Sequence, residues 1–152
     1  MHFNGLTGAI PTEIGGMKSL YELSLGGNWL SGAIPTAIGN LAAIQRIALF
    51  DNALTGDIPT EVGNLETLKV LDLQNNTLSG PLITQIGDLQ ALEVLYLSNN
   101  RLTGSIPTEV GNLQALGQLH LEANRLTGTI PTEIGNLTSL EFFYFHGNRI
   151  GE

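Results

Sequence analysis

Three residues in the C-terminal third have the chemistry of a metal site: His120, Glu122 and His146. Imidazole and carboxylate are ordinary zinc ligands. No metal-binding motif such as H-E-x-x-H frames them, so no metal or other cofactor is expected. The same stretch carries Tyr96, Phe142 and Tyr144. Aromatic side chains that are held rigid and exposed make good anchors for a ligand, because they offer a large contact area at low entropic cost. Their blander reading is that neighbouring rings stabilise a sheet. Arg101, Arg125 and Arg149 recur 24 residues apart. Stacked guanidinium groups can hold a carboxylate or sulfate, but the plainer expectation is that they pair with nearby acids and stay solvated. The parts for catalysis are missing. Cysteine is absent, histidines number three, and no phosphate-binding, dinucleotide or nucleophile-elbow motif occurs.

These residues gain meaning only from the elements that place them. Leu6, Leu30, Leu54, Leu78, Leu102 and Leu126 recur every 24 residues, and Ile150 continues the series. A fixed period in this range signals a solenoid, whose units stack because none can bury its apolar face alone. Each unit contains an x-L-x-L-x stretch, as at Leu23 and Leu25 or Leu71 and Leu73. Alternation with period two predicts a short strand with one face in the core. One strand per coil builds a parallel sheet with coils ~4.8 Å apart. The outward positions then form columns. The central one is Ser24, Ala48, Asp72, Tyr96, His120 and Tyr144. The preceding one ends in Gln118 and Phe142, and the following one ends in Ser98, Glu122 and His146. Tyr96, His120, Glu122, Phe142, Tyr144 and His146 are therefore the candidate ligand-binding residues.

An asparagine follows each strand, at Asn4, Asn28, Asn52, Asn76, Asn100, Asn124 and Asn148. The chain turns inward there and leaves amide groups without partners. An Asn side chain offers both a donor and an acceptor, so a structural Asn ladder is expected inside the solenoid. Ile-Pro pairs such as Ile34-Pro35 favour extended backbone. The T-E-I-G-N segments after them are too short for an α-helix and predict a turn of 3₁₀ helix. Gly15, Gly39, Gly63, Gly87, Gly111 and Gly135 are expected to end that turn.

The combined pattern, L-x-x-L-x-L-x-x-N-x-L-[ST]-G-x-I-P-x-x-[IV]-G-N-L, resembles the plant-type leucine-rich repeat from Asn4 to Ile150. Such repeats occur in receptor-kinase ectodomains, in polygalacturonase-inhibiting proteins and in algal and protist proteins. The resemblance implies an α/β-type solenoid: a curved right-handed superhelix of about six repeats. It implies a concave parallel sheet, convex 3₁₀ turns and short second β-segments. It also implies non-catalytic recognition of a protein, peptide or glycan on the concave or lateral face, in an extracellular or cell-surface setting. Unit four departs from the pattern. It reads GPLITQ, with Ile83 in the proline position, which bears on the second β-segment there.

Composition supports this reading. The net charge of −8 opposes phosphate backbones, so nucleic acid is not an expected partner. No run of apolar residues is long enough to span a bilayer. Residues 1–152 read as one solenoid domain. Its opening HFNG is neither signal nor transit peptide, and its ends lack cysteine-paired caps. A fragment of a longer array is expected, or else a protein that pairs with itself through uncapped ends. Thr12, Thr36, Thr60, Thr84, Thr108 and Thr132 form a hydroxyl column. That column raises an alternative role: binding a repetitive lattice such as ice or a polysaccharide. Asn75 and Asn136 open glycosylation sequons, which matter only in a secreted protein.

Overall fold

The computed structural model describes residues 4–151. Each 24-residue coil enters the concave sheet through a three-residue strand. These strands are Glu22–Ser24, Arg46–Ala48, Val70–Asp72, Val94–Tyr96, Gln118–His120 and Phe142–Tyr144. All are parallel and lie in chain order. Their register advances by one full repeat, so Leu23 aligns with Ile47, and Ile47 with Leu71. Repeat spacing in the sequence thus becomes vertical stacking in space.

A second parallel sheet forms on the flank from Thr7–Gly8, Trp29–Ala33, Ala53–Asp57 and Thr77–Ser79. It continues at unit four as a single bridge between Pro81 and Thr103. Beyond it, inter-coil bonds persist without regular strands, as when the Thr127 N–H donates to Gly104 O at 2.8 Å. Unit four keeps its turn despite GPLITQ. Ile83 takes φ −67° and ψ 138°, close to the −70° and 141° of Pro35. The pyrrolidine is therefore not needed to set this backbone, because stacking imposes it.

Opposite the concave sheet run six 3₁₀ turns: Thr12–Gly16, Thr36–Asn40, Thr60–Asn64, Thr84–Asp88, Thr108–Asn112 and Thr132–Asn136. Gly15, Gly39, Gly63, Gly87, Gly111 and Gly135 lie inside these turns rather than ending them. What most of them supply is clearance. A Cβ on Gly39 would sit 2.3 Å from Glu61 O of the next coil. Coils stack too closely here for any side chain. Gly135, on the last coil, has nothing within 4 Å of its Cβ position.

One continuous apolar core fills the interior, from Ile10 to Leu137. Each coil contributes its strand leucines, the Ile or Leu before the proline position, and the Ile or Val of the turn. Leu95, Leu102, Val110 and Leu113 are all completely buried. Burying such a side chain stabilises by about 1.5–3 kcal/mol, and only stacking makes that burial available.

The asparagines tie the coils together. Oδ1 of Asn100 accepts the Leu78 N–H at 3.0 Å, and its Nδ2 donates to Leu73 O at 3.0 Å in the preceding coil. The same amide donates to Leu97 O and Ser98 O of its own coil. Asn52, Asn76, Asn124 and Asn148 repeat this arrangement. Oδ1 of Asn28 accepts the N–H groups of Asn4 and Leu6.

Candidate functional site

The parallel register brings Tyr96, His120 and Tyr144 side by side on successive coils. The Tyr96 and His120 rings lie 4.3 Å apart, tilted by 37°. His120 meets Tyr144 edge-on, at 4.8 Å and 79°. Phe142 extends the cluster, 6.4 Å from Tyr144. The Tyr96 hydroxyl donates to Oε1 of Gln118 on the next coil. This face is thus a run of touching rings, fixed from below by strands in the core.

Glu122 lies beside the rings. Its Oε1 is 3.8 Å from His120 Nδ1. Its Oε2 is buried and has no hydrogen-bond partner among the described residues, an uncommon state for a carboxylate oxygen. His146 stands in the same column as Glu122, one coil further on, and is exposed. Among the described residues no three histidine or acidic side chains converge as a metal-binding group.

Alternation aims Ala48, Asp72 and Ser98 outward, yet all three are buried. Short side chains on this face lie below the level of their longer neighbours, such as Tyr96 beside Asp72. Burial pushes the Asp72 carboxyl up to about 6. The Gln74 N–H and the Arg46 guanidinium pull it down, and Asp51 pushes it further up. The Tyr96 hydroxyl is also raised, first by burial and then by the negative charge of Asp72.

Arg101, Arg125 and Arg149 do not pair with acids as expected. The ion pairs among the described residues are Arg46–Glu22 and Lys69–Glu93, and His120 Nδ1 lies 3.8 Å from Glu122 Oε1. The acidic column Glu13, Glu61, Glu109 and Glu133 lies on the 3₁₀ turns, whereas the arginines follow the ladder asparagines on the flank. Five of the six threonine hydroxyls of that turn column are engaged locally. Thr12, Thr60, Thr108 and Thr132 each donate to the following glutamate, and Thr84 to Gln85.

A feature missed from the sequence is Trp29, the single tryptophan of the chain, which is 72% exposed. It borders a groove of about 520 Å³ with Asp51 and Asn75. Its signal was available: it stands in the position after a ladder asparagine, where later coils carry arginine.

The fold and the stacked asparagines define a leucine-rich repeat. A family model described as a leucine-rich repeat region matches residues 60–147, more than half of the chain, and a single leucine-rich-repeat model matches residues 19–41. The chain belongs to the leucine-rich-repeat family.

Its solved structural relatives make it plant-type. The ectodomain of the Arabidopsis thaliana membrane receptor kinase GASSHO1/SCHENGEN3, solved with CASPARIAN STRIP INTEGRITY FACTOR 2, is 38% identical over 95% of this chain, with a TM-score of 0.94. The plant peptide hormone receptor RGFR1, in complex with RGF2, is 37% identical over 96% of the chain, with a TM-score of 0.95. The Arabidopsis receptor kinase HAESA, in complex with the peptide hormone IDA and the co-receptor SERK1, is 39% identical over 96%, with a TM-score of 0.93. The chain spans only 17%, 23% and 24% of those three chains. No curated protein matches. Both family models describe leucine-rich repeats, not a catalytic domain. Among the described residues no helix is long and apolar enough to cross a membrane.

Proposed function

We propose that this chain is a non-catalytic recognition segment whose concave face docks an extended peptide, in an extracellular or cell-surface setting. The observation that carries this reading is the continuous ring ladder of Tyr96, His120 and Tyr144. A peptide crossing the strands meets one new ring per coil. Rigid aromatic rings gain contact area with little loss of rotamer freedom. Phe142 and His146 widen the platform, and Glu122 brings a carboxylate to its edge. Peptide hormones in the related ectodomain complexes favour a peptide over other ligands. The acidic balance of the chain favours a peptide that is neutral or basic.

Selection from a random-peptide display library tests this. Peptides enriched on the wild type should lose binding to a Tyr96→Ala, Tyr144→Ala double variant that keeps the wild-type circular dichroism. Enriched peptides that bind both proteins equally would move recognition off this face.

A further inference from the structure

Trp29 lies exposed on the flank, apart from the ring ladder. Large apolar side chains are exposed at several places, but several of these, such as Ile130 and Phe145, belong to the last coil. Trp29 has a paired strand on either side, Thr7–Gly8 before it and Ala53–Asp57 after it. Its side chain is 72% exposed between those strands. The reason is local. The positions flanking the indole are Gly5, Gly27 and Ala53, too small to cover it, and they open the groove.

The groove pairs that indole with a polar wall. Nδ2 of Asn75 donates to Oδ1 of Asp51 at 2.7 Å. Both residues hold left-handed backbone, at φ 54° and 51°, so the pair is set by the corner of the coil. No protein group donates to Oδ2 of Asp51 or to Oδ1 of Asn75 among the described residues. In the protein without a glycan on the Asn75 sequon, these two side chains thus offer two acceptors and the remaining amide hydrogen as a donor. A flat apolar ring lining the same groove as a short array of acceptors and donors suits a pyranose. The C–H face of the sugar lies on the indole, and its hydroxyls both donate and accept. About 520 Å³ is a volume that suits a small ligand of one or a few residues. The Asp51 carboxylate and the overall charge of −8 disfavour an anionic sugar.

We propose that the Trp29–Asp51–Asn75 groove binds a neutral saccharide chain. A peptide ligand on the concave face is neither required for this nor excluded by it.

The single tryptophan makes the test direct, since all indole emission comes from the groove. The protein is titrated with cellohexaose, xylohexaose, mannohexaose and chitohexaose, with an oligogalacturonate as the anionic control. The expected result is a saturable blue shift with at least one neutral chain and none with the anion. Calorimetry should show Trp29→Ala binding that sugar at least about tenfold more weakly, as loss of a stacking anchor does. Asp51→Gly should weaken it while leaving the indole in place. Glycine is tolerated there, because Gly27 holds the same position with φ 65° in the coil before. The Tyr96→Ala, Tyr144→Ala variant should keep the response. No indole response to any neutral chain at tens of millimolar overturns the proposal. So does an equal response to the oligogalacturonate, a response unchanged in Asp51→Gly, or a response only to peptides.

Discussion

The side-chain oxygen of Asn76 accepts the backbone N–H of Leu54, 22 residues earlier and one coil below. Its amide donates to Leu49 O in that lower coil and to Leu73 O and Gln74 O in its own. One buried side chain therefore serves four backbone groups. Asn76→Leu keeps the volume and loses all four bonds. Leaving even one or two buried backbone groups unpaired costs about 1–3 kcal/mol each, so a loss of about 3 kcal/mol is expected. Urea unfolding followed by circular dichroism measures it. A midpoint equal to wild type would mean that stacking alone holds the corner.

Gly39 and Gly135 occupy the same place in the repeat but not the same surroundings. A Cβ on Gly39 meets the Glu61 carbonyl oxygen at 2.3 Å, and one on Gly135 meets nothing. Backbone cannot swing aside as a side chain can, so Gly39→Ala should lower stability by about 2 kcal/mol or more, within the range of overpacking. Gly135→Ala should be neutral or slightly stabilising, because alanine loses less backbone freedom on folding. Thermal unfolding of the two variants side by side separates clearance from any general need for glycine in the turn.

The two glycines also show how far the sequence could be read. The 24-residue period and the position of each Asn made the sheet register, the 3₁₀ turns and the core legible, because stacking turns a period into a contact. The reason for Gly39 was not legible, since its neighbour is a carbonyl of the next coil and carbonyls carry no residue-type signal. The columns of the ring ladder followed from alternation, but the burial of Asp72 and Ser98 did not. It depends on the height of neighbouring side chains across coils. The arginines are solvated, as the sequence suggests, but their expected pairing with acids is absent among the described residues. Trp29 was passed over because it sits in a variable position outside the alternating strand, where exposure depends on the glycines and alanine around it.

Asp72 gives the fold a pH dependence opposite in sign to that of an ordinary ion-paired aspartate. Burial raises its carboxyl from 3.8 to about 6 in the folded protein. The folded state therefore holds its proton to higher pH than the unfolded chain does. The contribution is fully present below the unfolded value and is lost as pH rises from about 4 through about 6. The displacement corresponds to roughly 3 kcal/mol at most. Asp72→Asn retains an oxygen for the Gln74 N–H and carries no charge. Its stability should exceed that of wild type above about pH 6 and converge with it below about pH 4. Urea midpoints of both proteins across that range test the sign. A constant gap between the curves would mean the carboxyl titrates normally.

Tyr96 and His120 touch through their rings at 4.3 Å, and His120 also meets Tyr144 at 4.8 Å. If the ladder is a rigid unit, the energies of its members are coupled. A double-mutant cycle over Tyr96→Ala and His120→Ala should give a coupling of about 0.5–1.5 kcal/mol in unfolding free energy, the range for aromatic pairs. The Tyr96→Ala, Tyr144→Ala double variant should still fold, because the strand of Tyr96 is held by the fully buried Leu95 and that of Tyr144 by Phe143, packed against the core. Stability and recognition then separate. A peptide bound by the wild type should lose much more affinity from the double tyrosine change than the fold loses in stability. Affinity and stability falling in proportion would make the rings a structural brace rather than a docking surface.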